Sequence, residues 1–158
     1  MHYFKYSFLV LLAICKNTFS EGVNLTIEDT ALSRIDRKAN AAIANDPSFS
    51  PFKNMGCKLA GTKIPLTPSL TVTTYFVTTE NACGWGAALG PIWIVDESRE
   101  KVILNTGGYA VAVKHRLQNG FMDIDVSSGT AGEVNNVYYY FNGNKYMSDM
   151  RRAKRRTK

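Results

Sequence analysis

Two carboxylates two residues apart, Asp123 and Asp125, are the residues of this chain whose types and spacing point first to chemistry. In a strand, positions i and i+2 project from one face, so the pair would stand side by side. Two such carboxylates can serve as general acid and base, or hold a hard cation together with Asn135 or Asn136. His115 with either aspartate, and Ser127 or Ser128 supplying a hydroxyl, would imitate part of a hydrolase triad. None of these spacings enforces the chemistry. The competing and favoured reading is that Asp123 and Asp125 mark the solvent face of a half-buried strand. The imperfect alternation of Phe121, Met122, Ile124 and Val126 around them leaves that reading standing.

The inventory removes most other chemistry. After residue 20 the chain holds one histidine, His115, so sites built from two or three imidazoles are not expected, and neither a metal nor a cofactor is called for. No Walker loop, nucleophile elbow or His-Glu-x-x-His helix is present. Gly84-Trp85-Gly86 and Gly107-Gly108 lack the strand-to-helix context that cradles phosphate and read as turns. The expectation is a protein that binds rather than catalyses, with no catalytic residue assigned.

The residues best suited to binding are aromatic. Tyr138, Tyr139, Tyr140, Phe141 and Tyr146 crowd the last third, with Trp85 and Trp93 elsewhere. Alternation sends Tyr138 and Tyr140 to one side of a strand and Tyr139 and Phe141 to the other. Exposed tyrosines supply contact area and hydroxyls at little entropy cost, which suits a protein or glycan partner. Cross-strand ladders that merely stabilise a hairpin are the alternative. The candidate binding set is therefore Tyr138, Tyr139, Tyr140 and Tyr146 with Asp123 and Asp125.

The elements that must position these side chains begin with a helix. From Thr26 to Ala44, Ile27, Ala31, Ile35, Ala39, Ala42 and Ile43 recur at spacings of three and four. Thr26 would cap the helix, Glu28 and Asp29 would favour its first turn, and Asn45-Asp46-Pro47 would stop it. After a loop over Pro47–Gly56 the punctuation turns β-like. Runs at Leu70–Thr79, Ile92–Val95, Val102–Leu104, Tyr109–His115, Phe121–Ser127, Val134–Phe141 and Lys145–Met147 read as strands. The unbroken apolar run Ile92–Val95 predicts a strand covered on both faces. Asn119-Gly120 and Asn142-Gly143 carry the strongest short hairpin signal. The fold class expected is α+β: one N-terminal helix packed on a mainly antiparallel sheet of about six to seven short strands, in a single domain over residues 21–150.

The two ends address location. Lys5, the apolar run Phe8–Ile14 and the small-residue exit Thr18-Phe19-Ser20 have the layout of a secretory signal peptide over residues 1–20. Cleavage near Ser20 would remove Cys15 and leave Cys57 and Cys83, an even pair that an oxidising compartment would join. A lipid-attachment reading of Leu12-Ala13-Ile14-Cys15 is disfavoured, because Ile14 is bulky where that signal needs a small residue. Asn24-Leu25-Thr26 is a glycosylation sequon, meaningful in a eukaryotic source. Of nineteen Lys and Arg, six fall within the last eight residues and two within the first twenty, leaving eleven against thirteen Asp and Glu in residues 21–150. The body is thus slightly acidic and the net charge of +6 is a property of the tail. A basic run of this kind, residues 151–158, is expected to be disordered and to touch anionic membrane weakly; no nucleic-acid partner is expected.

Gly120-Phe-Met-Asp-Ile-Asp, a spacer, and Val137-Tyr-Tyr-Tyr-Phe-Asn-Gly-Asn-Lys-Tyr146 resemble the ending of many small exported bacterial proteins. In those, a Gly-aromatic-x-Asp strand precedes a strand finishing in aromatic-Asn/Asp-Gly-x-x-Tyr. The resemblance covers the last third of the chain and implies a periplasmic or secreted protein. It is similar in outline to periplasmic inhibitors of cell-wall hydrolases and to immunity proteins against secreted effectors. The expected partner is accordingly another protein of the cell envelope. A periplasmic hydrolase using Asp123 and Asp125, and a structural envelope component, are the competing readings.

Overall fold

Ile92, Trp93, Ile94 and Val95 lie in a strand whose residues are buried on both sides, and the architecture is organised around that strand. The computed structural model describes residues 22–29, 31–87, 89–130 and 133–149. The expected leader over 1–20 and the basic tail over 151–158 lie outside the described residues.

Nine strands among the described residues form two antiparallel sheets, not one. They are β1 (Asn24–Thr26), β2 (Leu59–Lys63), β3 (Thr74–Thr79), β4 (Gly90–Asp96), β5 (Lys101–Gly108), β6 (Ala110–Gln118), β7 (Phe121–Thr130), β8 (Glu133–Phe141) and β9 (Tyr146–Ser148). One sheet runs β2-β3-β4-β5 and the other β1-β6-β7-β8-β9. Two short helices, α1 (Arg37–Ala44) and α2 (Ser50–Asn54), flank a 3-10 turn at Pro47–Phe49.

The layers follow from which residues alternate inward. Phe76, Ile92, Ile94 and Leu104 meet Val111, Ile124, Val126 and Phe141 between the sheets. Tyr75, Val77, Trp93 and Val95 point the other way, against Ile35, Ala39, Ile43 and Phe49 of the helical layer. The four-stranded sheet is thus the middle layer, and every residue of β3 and β4 is buried. A register shift between Ile94 and Val95 lets the adjacent Ile103 and Leu104 of β5 both enter the inter-sheet core. The ring of Trp93 meets Phe49 and Phe52 edge-on at 5.7 and 5.3 Å. Its indole Nε1 donates to Ser48 Oγ at 2.8 Å, and Ser48 in turn donates to Asp46 Oδ1 at 2.6 Å.

The helix expected over Thr26–Ala44 survives only in its second half. Thr26 belongs to β1, paired with Ala110, and Ser33 bridges Gly61 of β2. Asp36, not Thr26, caps the helix by accepting from the Lys38 backbone N–H at 2.8 Å. The apolar stripe was real but serves two cores: Ile27 enters the space between the sheets, and Ile35 enters the layer beneath α1. Strand pairing at 24–26 and 33 overrides local helical periodicity.

Cys57 and Cys83 form the expected disulfide, with Cα atoms 5.6 Å apart. It ties the segment after α2 to the loop that follows β3. That loop contains consecutive left-handed residues, Asn81 and Ala82, both at φ 53°. It is held by Thr79 Oγ1, which donates to Cys83 O at 2.7 Å and accepts from Trp85 Nε1 at 2.8 Å. No helix among the described residues is long and apolar enough to cross a membrane.

Candidate functional site: the outer face of the five-stranded sheet

The helices lie on the far side of the four-stranded sheet, so the second face of the five-stranded sheet is its outer surface. Register determines what stands there. Ala112 pairs with Asp125 and Asp125 with Tyr138, while Ser127 pairs with Asn136. Alternation from these columns places Lys114, Asp123, Asp125, Ser127, Asn136, Tyr138 and Tyr140 on the outer face. Their neighbours Val111, Val113, Ile124 and Val126 are in the core.

A bulge shapes the middle of this face. Val113 pairs with Ile124 and Leu117 with Met122, so Lys114, His115 and Arg116 together oppose the single residue Asp123. The extra length brings cationic side chains onto the acidic pair. Lys114 Nζ lies 2.8 Å from Asp125 Oδ2, and Arg116 Nε lies 3.7 Å from Asp123 Oδ2. Gln118 Nε2 donates to both carboxylate oxygens of Asp123, at 2.9 and 2.8 Å. The Tyr138 hydroxyl also donates to Asp123 Oδ2.

The expectation that Asp123 and Asp125 form an open solvent face is therefore corrected. They do share one face, but Asp123 has no exposure and Asp125 only 5%. Gln118, Arg116, Tyr138 and Lys114 bond to them on that face. A buried carboxylate is costly unless paired and hydrogen-bonded, and both conditions are met here. The lone pairs of Asp123 are engaged by fixed donors, an arrangement that orders side chains. Ser127 Oγ likewise donates to Asn136 Oδ1 at 2.6 Å, so its hydroxyl serves the β7–β8 pairing. His115 is exposed on the bulge. No group of three or more His, Cys, Asp or Glu among the described residues is arranged to hold a metal.

The aromatic residues divide as alternation requires. Tyr138 and Tyr140 are half-buried on the outer face. The Tyr140 hydroxyl has no hydrogen-bond partner among the described residues. Tyr139 lies on the inner side, packs against the inter-sheet core, and shares a 3.2 Å hydrogen bond with Thr106 Oγ1. Tyr146 departs most from the binding set. It is 4% exposed, stacks edge-on against Phe141 at 5.6 Å, and donates to Met122 O at 2.6 Å. Burial, and secondarily the nearby charge of Asp123, push its phenol pKa far above the ordinary range. Tyr146 is thus a core residue and offers no contact surface.

Lys114, Arg116 and Gln118 complete the site and were not singled out by sequence reasoning. Their alternation was visible, but the bulge that sets Lys114, His115 and Arg116 opposite one residue of β7 has no local sequence signature.

The chain matches no protein-family model, and no curated protein or solved structure matches it significantly.

Proposed function

We propose that this is a small exported protein whose outer five-stranded face binds another protein of the cell envelope, acting as an inhibitor or immunity protein toward a cell-wall hydrolase or secreted effector. The observation that carries the reading is the pairing of Tyr138 and Tyr140 over a fully hydrogen-bonded charged layer. Such a face is rigid before binding, so little side-chain entropy is lost on association. Tyrosine contributes large contact area with few rotatable bonds, and the Tyr140 hydroxyl, without a hydrogen-bond partner among the described residues, is available to a bound protein.

Export is supported by the signal-like layout of residues 1–20 and by the Cys57–Cys83 bridge, which an oxidising compartment sustains. The expected site is periplasmic or secreted. The basic residues of 151–158 would add a weak, salt-sensitive attraction to anionic membrane.

The test is the rate at which purified cell-wall hydrolases clear a peptidoglycan suspension, with and without the full chain. Slower clearing supports an inhibitor. Clearing by the chain alone, abolished by Asp123→Asn and Asp125→Asn with the fold retained, would support a hydrolase instead.

A further inference from the structure

A cavity of about 510 Å³ opens on the opposite side of the molecule, between α1, the start of β2 and the disulfide loop. Its volume lies in the range of small-ligand sites. Phe49 and Leu59, at 6% and 7% exposure, supply an apolar floor. Arg34, Lys58, Asn40 and Glu80 contribute the polar part of the lining.

The charges of this lining are uncommitted. Arg34, Lys58 and Glu80 make no side-chain hydrogen bond or ion pair among the described residues, whereas Lys38, Arg99, Lys114 and Arg116 are all paired. The backbone around them is firmly held. Ser33 and Gly61 exchange hydrogen bonds at 3.0 and 2.8 Å next to Arg34, the Glu80 N–H donates to Lys58 O at 2.9 Å, and Cys57 is bridged to Cys83. Two cations, a carboxamide and one carboxylate are thus carried on fixed elements around an apolar floor.

We propose that this cavity binds the free carboxyl end of a short peptide whose last side chain is apolar. The guanidinium of Arg34 suits a carboxylate by planar, two-point hydrogen bonding, and Lys58 adds a second positive charge. The apolar side chain would rest on Phe49 and Leu59. Asn40 and Glu80 would meet the peptide's own amide groups, Asn40 as donor or acceptor and Glu80 as acceptor. This site is separate from the tyrosine face and does not depend on the function proposed for it.

The experiment is a titration of the isotope-labelled full chain with N-acetyl-Ala-Leu, followed by amide chemical shifts, beside the same dipeptide ending in a carboxamide. The expected result is saturable shifts centred on Asn40, Lys58, Leu59 and Glu80, with the carboxamide form binding at least about tenfold more weakly. Arg34→Ala should remove that difference while leaving the melting temperature unchanged, because Arg34 is exposed and has no side-chain partner among the described residues. Absence of saturable shifts at these residues, or equal binding of the two dipeptides to the unaltered chain, would overturn the proposal. So would an undiminished preference for the carboxylate in Arg34→Ala.

Discussion

Tyr138 stands opposite Asp125 in the sheet, yet its hydroxyl donates to Asp123, two residues earlier in β7. That diagonal contact closes the layer beneath the aromatic face, and it makes Asp123 the residue on which the layer depends.

Asp123→Asn is expected to destabilise the fold by about 2 kcal/mol, because a charge-assisted network around a fully buried group loses its acceptor charge. Tyr138→Phe should cost about 1 kcal/mol by removing one donor from the same carboxylate. Urea unfolding of the two variants checks both. A surface aspartate would show less than about 0.5 kcal/mol, the result that the solvent-face reading of the sequence would have implied.

Arg99 joins the two sheets at one end of the core. Its Nε lies 2.6 Å from Asp96 Oδ2, and its guanidinium sits 5.7 Å over Phe121 and 5.6 Å over Phe141. Asp96 is 1% exposed, so removing Arg99 leaves a buried charge with less compensation. Arg99→Ala should cost about 1–3 kcal/mol. The double variant with Asp96→Asn should be less destabilised than the sum of the two single changes, as a double-mutant cycle would measure.

The carboxyls of Asp36 and Glu97 act on each other, and their acidities move in opposite directions. Asp36 is lowered, first by the Lys38 backbone N–H and then by Glu97. Glu97 is raised, first by desolvation and then by the neighbouring carboxyl of Asp36. The lowered Asp36 contributes stability above its unfolded pKa, and that contribution is lost as pH falls through its folded value. The raised Glu97 contributes stability while protonated, and that contribution is lost as pH rises through its folded value. Glu97→Gln removes the second loss, because the amide does not ionise. It should therefore stabilise the protein at pH 7 more than at pH 4, measured by urea unfolding at both.

Replacing Cys57 or Cys83 by serine should lower stability by about 2–4 kcal/mol, since the bridge spans a 26-residue separation. Alkylation of natively exported protein without reductant should label neither cysteine.

Much of the strand content was legible because it rested on local chemistry. Asn119 and Gly120 both adopt positive φ, 49° and 84°, as the Asn-Gly signal between β6 and β7 requires. The second Asn-Gly works differently. Only Gly143 has positive φ, at 101°, and Asn142 Oδ1 accepts from the N–H groups of Asn144 and Lys145 at 2.9 Å each. The double burial of Ile92–Val95 was likewise readable from an unbroken apolar run. What escaped was long-range. Ile27 and Ile35 fit one helical stripe, and only pairing of 24–26 with β6 sends them to different cores. Partition of the strands into two sheets depends equally on contacts distant in sequence, whereas the β6 bulge and the Gln118 and Arg116 contacts on Asp123 lie within one hairpin that carries no residue signature for them.

The most direct measurement is the inhibition constant of the full chain against a cell-wall hydrolase it slows, compared with that of Tyr140→Ala, with melting temperatures taken on the same preparations. The tyrosine face predicts an inhibition constant raised at least tenfold, about 1.4 kcal/mol, with the melting temperature nearly unchanged. An inhibition constant equal to that of the unaltered chain would contradict it.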